Sequence, residues 1–235
     1  KQLKWFRKNY VNADREVIES LLKGKWKSTR PGLAITFDDG LRSQYEYVLP
    51  LLEKYGFTGW FFVPVQFVET NPSDQMSFGE KNQITIFDHE FEDERFAMNW
   101  DEVKKIDSSG HHIGSHTLNH KRLSENLREV DMQNEIVKSK SLLEKKLNKN
   151  IDIFCWVGGE EESYSQMAAD LIKKSGYKLS FMTNNLPIKA KQNPLQLQRT
   201  NIEAWYPPYL VRFQLNGILD LIYYKKRRRV NLLTE

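Results

Sequence analysis

Two short apolar runs flank a segment of helical periodicity near the start of the chain, and that order permits few folds. Residues 32–39, GLAITFDD, read as a buried strand that ends in a polar pair. Residues 43–56, SQYEYVLPLLEKYG, carry apolar side chains at helical spacing and stop at Gly56. Residues 58–65, TGWFFVPV, form a second apolar and aromatic strand. Strand, helix and strand within about thirty residues make a βαβ unit, which implies parallel pairing.

The alternation continues along the chain. Residues 99–110 predict a helix with Asn99 as its cap, and 111–117, HHIGSHT, a strand running into a loop. A long amphipathic helix is expected over 124–148, opening at Ser124. Residues 151–159, IDIFCWVGG, read as a strand, 163–176 as a helix, 177–183 as a strand and 195–202 as the last strand. A closing helix over 207–226 places Leu215, Ile218, Leu219 and Ile222 on one face. Residues 69–97 read as polar and irregular, a functional loop or an insertion. The pattern predicts one α/β domain over 1–235, a barrel or a doubly wound sheet.

Bulk properties remove some classes. Cys155 is the only cysteine, so the chain forms no internal disulfide and no cysteine-based zinc knuckle. There is no run of eighteen apolar residues and no signal-peptide pattern, although a chain starting at Lys1 leaves a removed leader or anchor open. The compartment is therefore unassigned, with a lean to cytoplasmic or membrane-peripheral. The net charge of +4 includes five consecutive cations, 225–229. Those read first as a solvated helix end and secondarily as a peripheral membrane contact. A nucleic-acid partner is not expected, because no other basic stripe with spaced aromatics accompanies them. Oligomeric state is not legible.

In both architectures, sites form at the carboxyl ends of the strands. Those ends carry Asp38 with Asp39, Ser115 with His116, Gly158 with Glu160, and Arg199. His116 and His120 stand four residues apart, a spacing that on a helical turn brings both rings to one side. Two such imidazoles need one more ligand to hold zinc, and Asp38 or Asp39 is the natural third.

TFDDG (36–40) and HTLNH (116–120) resemble the first two motifs of the polysaccharide deacetylase family, carbohydrate esterase family 4, which carries the NodB homology domain. The likeness extends over roughly 30–185 through LPLLEKYGFTGWFFV, MNWDEVKKIDSSGHHIGSHTLNHKRLS and VGGEEESYSQMAADLIKKSGYKLSFMT. It implies a distorted (β/α) barrel with its motif-bearing core at about 30–205. It further implies Asp39, His116 and His120 as ligands of a divalent metal, and Asp38 as general base. Zinc is the expected ion, with Co²⁺, Ni²⁺, Fe²⁺ or Mn²⁺ compatible with the same donors. The implied activity is metal-dependent removal of an N-acyl group, acetyl first, from an amino sugar of a glycan or saccharide intermediate. A carbohydrate-binding pseudoenzyme and a deformylase or other amide hydrolase are the alternatives.

Two departures stand out. The arginine and proline of the family's third motif align with Cys155 and Val157, leaving Arg199 to approach from elsewhere. The five histidines lie at 89, 111, 112, 116 and 120, so none occupies the late position of the family's general acid. His89, the acidic run 160–162 or Asp38 itself are the replacements considered. Of His111 and His112, one is expected to pack beneath the site and the other to face solvent. Trp156, Gly158, Gly159, Glu160, Arg199, Trp205 and His89 are the candidate substrate contacts, with Trp156 expected to reach the pocket and Trp100 a further stacking candidate.

Overall fold

The computed structural model describes residues 1–87 and 90–235. Its centre is a sheet of six parallel strands in sequential order. They are β1 (Ile35–Phe37), β2 (Gly59–Val63), β3 (His112–Ser115), β4 (Ile153–Cys155), β5 (Leu179–Met182) and β6 (Leu197–Gln198). Phe37 stands opposite Phe61, and Val63 opposite Ser115. Sequential parallel order with crossovers of one hand makes the twisted sheet curl, and here it forms a half barrel.

Side-chain parity splits the packing into two cores. Trp60, Phe62, Ile153, Cys155, Leu179 and Phe181 come from alternate positions and fill the inside of the curl. Phe61, Val63, Phe154 and Met182, the intervening residues, pack outward against the helices. Both faces are buried, which is why the strands read as unbroken apolar runs. Burying each of these side chains contributes roughly 1.5–3 kcal/mol. The helix Arg15–Leu22 closes the bottom through Ile18, and Trp60 Nε1 donates to the Ala13 carbonyl at 3.2 Å.

Several helices follow the sequence closely. Trp100–Ser108 carries a capping box between Asn99 and Glu102, and Gly56 ends its helix at φ 68°. The long helix starts at Glu129, five positions after Ser124, and includes a π-helical turn, Asn134–Lys138. Two expectations fail. Residues 69–97 contain the helix Pro72–Asn82. It buries only Gln75, Gly79 and Asn82, so it has no apolar stripe to announce it. The closing helix is three pieces, Pro208–Gln214, Ile218–Ile222 and Tyr224–Leu233, interrupted at Gly217 with φ 88°. Its expected apolar face is divided, with Ile218 and Ile222 exposed.

His111 and His112 also depart from expectation. They lie where β3 begins, at the end of the barrel away from the strand tips, and neither faces free solvent. Gly59 N–H donates to His111 Nδ1 at 2.8 Å. Arg15 N–H donates to His112 Nε2 at 3.3 Å, and the imidazole lies 4.2 Å from the Trp60 ring centre. Burial, with help from the Arg15 charge and despite Asp14, pushes His112 down to about 4. The unfolded chain therefore binds a proton below about 6.5 that the native state refuses. This contribution to stability is complete above pH ~6.5 and is lost as pH falls towards about 4. Urea midpoints of metal-free protein should fall across that window, and His112→Gln should flatten the decline; an unchanged slope would clear His112.

Candidate metal centre

β1 delivers its carboxylates by parity and then by a reversal of backbone hand. Thr36 and Asp38 point into the barrel, while Asp39 and Gly40 adopt φ 76° and φ 64°. At Gly40 the positive φ favours glycine, and an added Cβ would press 3.4 Å from Pro64 Cδ. Asp39 lacks that freedom, and its left-handed backbone costs roughly 1–2 kcal/mol. Gln44 Nε2 donates to the Asp38 carbonyl and Met98 N–H to the Gly40 carbonyl, fixing the turn from both sides.

His116 and His120 do not meet across a helical turn. They flank a loop in which Thr117 (φ 67°) and His120 (φ 58°) are left-handed. Their Nε2 atoms still converge on Asp39 Oδ1, at 3.6 and 3.1 Å. Each ring is held from behind. His116 Nδ1 donates to the Cys155 carbonyl at 3.0 Å, and His120 Nδ1 to the Asn82 carbonyl at 2.6 Å. A carbonyl oxygen only accepts, so Nδ1 keeps the proton and the Nε2 lone pair faces Asp39. Asn82 ends the helix Pro72–Asn82, which gives that segment a structural purpose at the site. Burial drives His116 down despite Asp38, whereas contact with Asp39 overcomes burial and raises His120.

The donor set fits a divalent cation. Asp39, His116 and His120 present one carboxylate oxygen and two ring nitrogens within 4.8 Å of one another. A second grouping, Asp38, His116 and Cys155, fits less well. Burial raises the Cys155 thiol and keeps it protonated, and Asp38 is already engaged.

Its partner is Arg199. The guanidinium donates to Asp38 Oδ1 and Oδ2 at 2.7 and 2.8 Å, to Thr36 Oγ1 at 2.9 Å and to Thr183 Oγ1 at 3.3 Å. It also lies 2.9 Å from Cys155 Sγ and 5.3 Å from the Phe62 ring centre. Enclosure alone would raise the Asp38 pKa. The charges of Arg199 and His116, with the Arg199 hydrogen bonds, reverse that and hold it at about 2. Arg199 thus reaches Asp38 from a later strand, and the small Cys155 side chain leaves it room.

Residues 25–180 match the family described as Polysaccharide deacetylase. The chain belongs to the polysaccharide deacetylase family. It is 23% identical over 201 residues to the putative polysaccharide deacetylase YxkH of Bacillus subtilis, covering 85% of this chain and 62% of that protein. It therefore spans less than two thirds of that relative's length. Among solved structures, Streptococcus pyogenes deacetylase PplD aligns with TM-score 0.70 and 22% identity, over 92% of this chain and 84% of that one. A de-N-acetylase from Aggregatibacter actinomycetemcomitans aligns with TM-score 0.67 and 20% identity, over 91% and 86%. These likenesses establish the same half-barrel fold.

The remaining candidates in this family member scatter. Trp156 is in the outer core, 2% exposed, with Nε1 donating to Ser180 Oγ at 2.9 Å. Cys155 faces the barrel interior, so the next residue must face the helices, and Trp156 cannot reach the site. Trp100 is engaged at the surface, where its Nε1 donates to Glu69 at 2.7 Å. Gly158 (φ 81°) and Gly159 form the turn after β4, where a Cβ on Gly158 would stand 2.6 Å from Ser163 Oγ. Glu160 accepts from Gly159 N–H and Ser163 Oγ and lies 3.5 Å from Arg122. Backbone hydrogen bonding, against a smaller cost of burial, lowers its pKa, which ill suits a proton donor. Trp205 is 67% exposed, edge-on to Phe87 at 6.4 Å. His89 lies outside the described residues.

One residue was missed. Glu135, 4% exposed, accepts Leu118 N–H at 2.9 Å and Asn119 N–H at 2.7 Å, with Asn119 Nδ2 on its other oxygen at 2.7 Å. These donors lie between the two histidines. The signal was a carboxylate in the buried stripe Met132, Glu135, Ile136, Ser139, Leu143 of an otherwise amphipathic helix. Glu135→Gln would turn an amide donor towards backbone donors. Isothermal titration with zinc should show about 10–100-fold weaker binding, the usual cost of a lost outer contact. Unchanged affinity in a folded variant would make Glu135 merely structural.

Proposed function

We propose that the chain is a metal-dependent hydrolase that removes an N-acyl group, most simply acetyl, from an amino sugar of a glycan or saccharide intermediate. The observation that carries this reading is the convergence of Asp39 Oδ1 with the His116 and His120 Nε2 atoms, beside a second carboxylate held separately by Arg199. Asp39, His116 and His120 would hold the cation, Zn²⁺ or another ion suited to nitrogen and oxygen donors. When bound, such an ion polarises an acyl carbonyl and acidifies water.

The adjacent aspartates then divide the work. Asp39 ligates, and the backbone reversal turns it towards the rings. Asp38 stays ionised at neutral pH and accepts the proton of the attacking water. Arg199 fixes the plane of that carboxylate by its two-pronged contact. A carboxylic acid of such low proton affinity gives its proton up readily to a departing amine. That suits a chain with no histidine after His120. The exposed Trp205 and Phe87 rings, edge-on to one another, are suited to pack on a pyranose.

Acetate release from N-acetylated oligosaccharides, with and without chelator, tests the reading. Chelator should abolish release and added Zn²⁺ restore it. Asp38→Asn should keep the cation and lose roughly 10²–10⁴-fold in kcat, whereas His116→Ala should lose both. Arg199→Lys should lower kcat with little change in KM or cation content. Full turnover by Asp38→Asn would remove it as the base, and glycan binding without release at full cation content would favour a carbohydrate-binding module.

A further inference from the structure

The chain's exposed apolar surface and its net charge are concentrated in the same place. Among the described residues, eight of the fourteen exposed large apolar side chains lie between 205 and 232. Residues 205–235 hold six Lys or Arg against two Asp or Glu, an excess of four that equals the net charge of the entire chain. The remaining residues are therefore balanced.

The two features share one stripe. Ile218–Ile222 buries none of its residues, and Leu221 and Ile222 are 79% and 68% exposed. Tyr223 keeps near-helical angles, φ −81° and ψ −2°, so the next helix continues nearly in line. Ile218, Leu221, Ile222, Lys225 and Arg228 then follow helical spacing, an apolar turn leading into a basic one, and all are exposed. The opposite face is anchored. Arg227 donates to the carbonyls of Asn184, Asn185 and Asp220, and Val230 is buried. The helix before it, Pro208–Gln214, adds the exposed Tyr209 and Phe213 at i and i+4.

We propose that this face docks on an anionic lipid bilayer. The apolar side chains would enter the boundary between headgroups and acyl chains, and Lys225 and Arg228 would meet lipid phosphates. Charge complementarity favours lipid over a second copy, since a two-fold interface would set this cationic stripe against itself. The packed side of the same segment borders a cavity. Leu219 and Tyr223 line a cavity of about 190 Å³ with Thr183, whose hydroxyl accepts from Arg199.

Sedimentation with phosphatidylcholine vesicles, with and without phosphatidylglycerol, tests this. Binding should require the anionic lipid and weaken with salt. Each phosphate-facing cation is worth about fivefold in partitioning, so Lys225→Glu/Arg228→Glu should lose more than tenfold. Leu221→Ser/Ile222→Ser should also lose most binding, while both variants keep the wild-type melting temperature and zinc content. Wild-type protein that stays in the supernatant overturns the proposal. So does a dimer by light scattering that Leu221→Ser/Ile222→Ser dissolves, which would assign the face to a second copy.

Discussion

A single guanidinium ties the two ends of the open sheet together. Arg199 follows β6, Thr36 belongs to β1 and Asp38 follows it, and Arg199 is 161 positions along the chain from Asp38. No backbone ladder joins these edge strands. Polar contacts at the rim do so, and the carboxylate they grip is the one next to the candidate metal centre. Arg199 is the more deeply buried partner, so removing Asp38 would strand its charge. The contact that bridges the open edges of the sheet is therefore also the one that keeps Asp38 ionised.

Around that pair the site rests on backbone in costly conformations. Asp39, Thr117 and His120 are all left-handed without being glycine. Each is held by contacts that leave little choice: Gln44 and Met98 on the first turn, Glu135 on the second, and the Cys155 and Asn82 carbonyls behind the imidazoles. Strain of this kind persists only where the surroundings over-determine it. The scaffold spends stability to aim three donor atoms at one point.

Much of this was legible because a strand has a period of two. TFDDG and HTLNH marked the residues whose donor atoms converge, Asp39, His116 and His120, and the alternating elements marked a parallel sheet. Parity also accounts for Asp38, Cys155 and Arg199 pointing inward, and the same rule, not applied to Trp156, would have sent it to the helices. What stayed hidden had no periodic signature. Pro72–Asn82 buries polar residues and a glycine, so it looked like a loop while supplying the carbonyl behind His120. The turn between His116 and His120 is set by long-range hydrogen bonds, which spacing cannot report. Gly217 broke a helix whose apolar periodicity continued past it.

The thiol and the guanidinium at the inner rim constrain one another. Cys155 Sγ and the Arg199 guanidinium are in contact, 2.9 Å apart, over the Phe62 ring. An arginine arising at 155 would compete for that volume and confront a like charge, while loss of Arg199 alone would leave Asp38 unaccompanied. Substitutions at the two positions are therefore expected to couple rather than add, because they share one volume and one carboxylate.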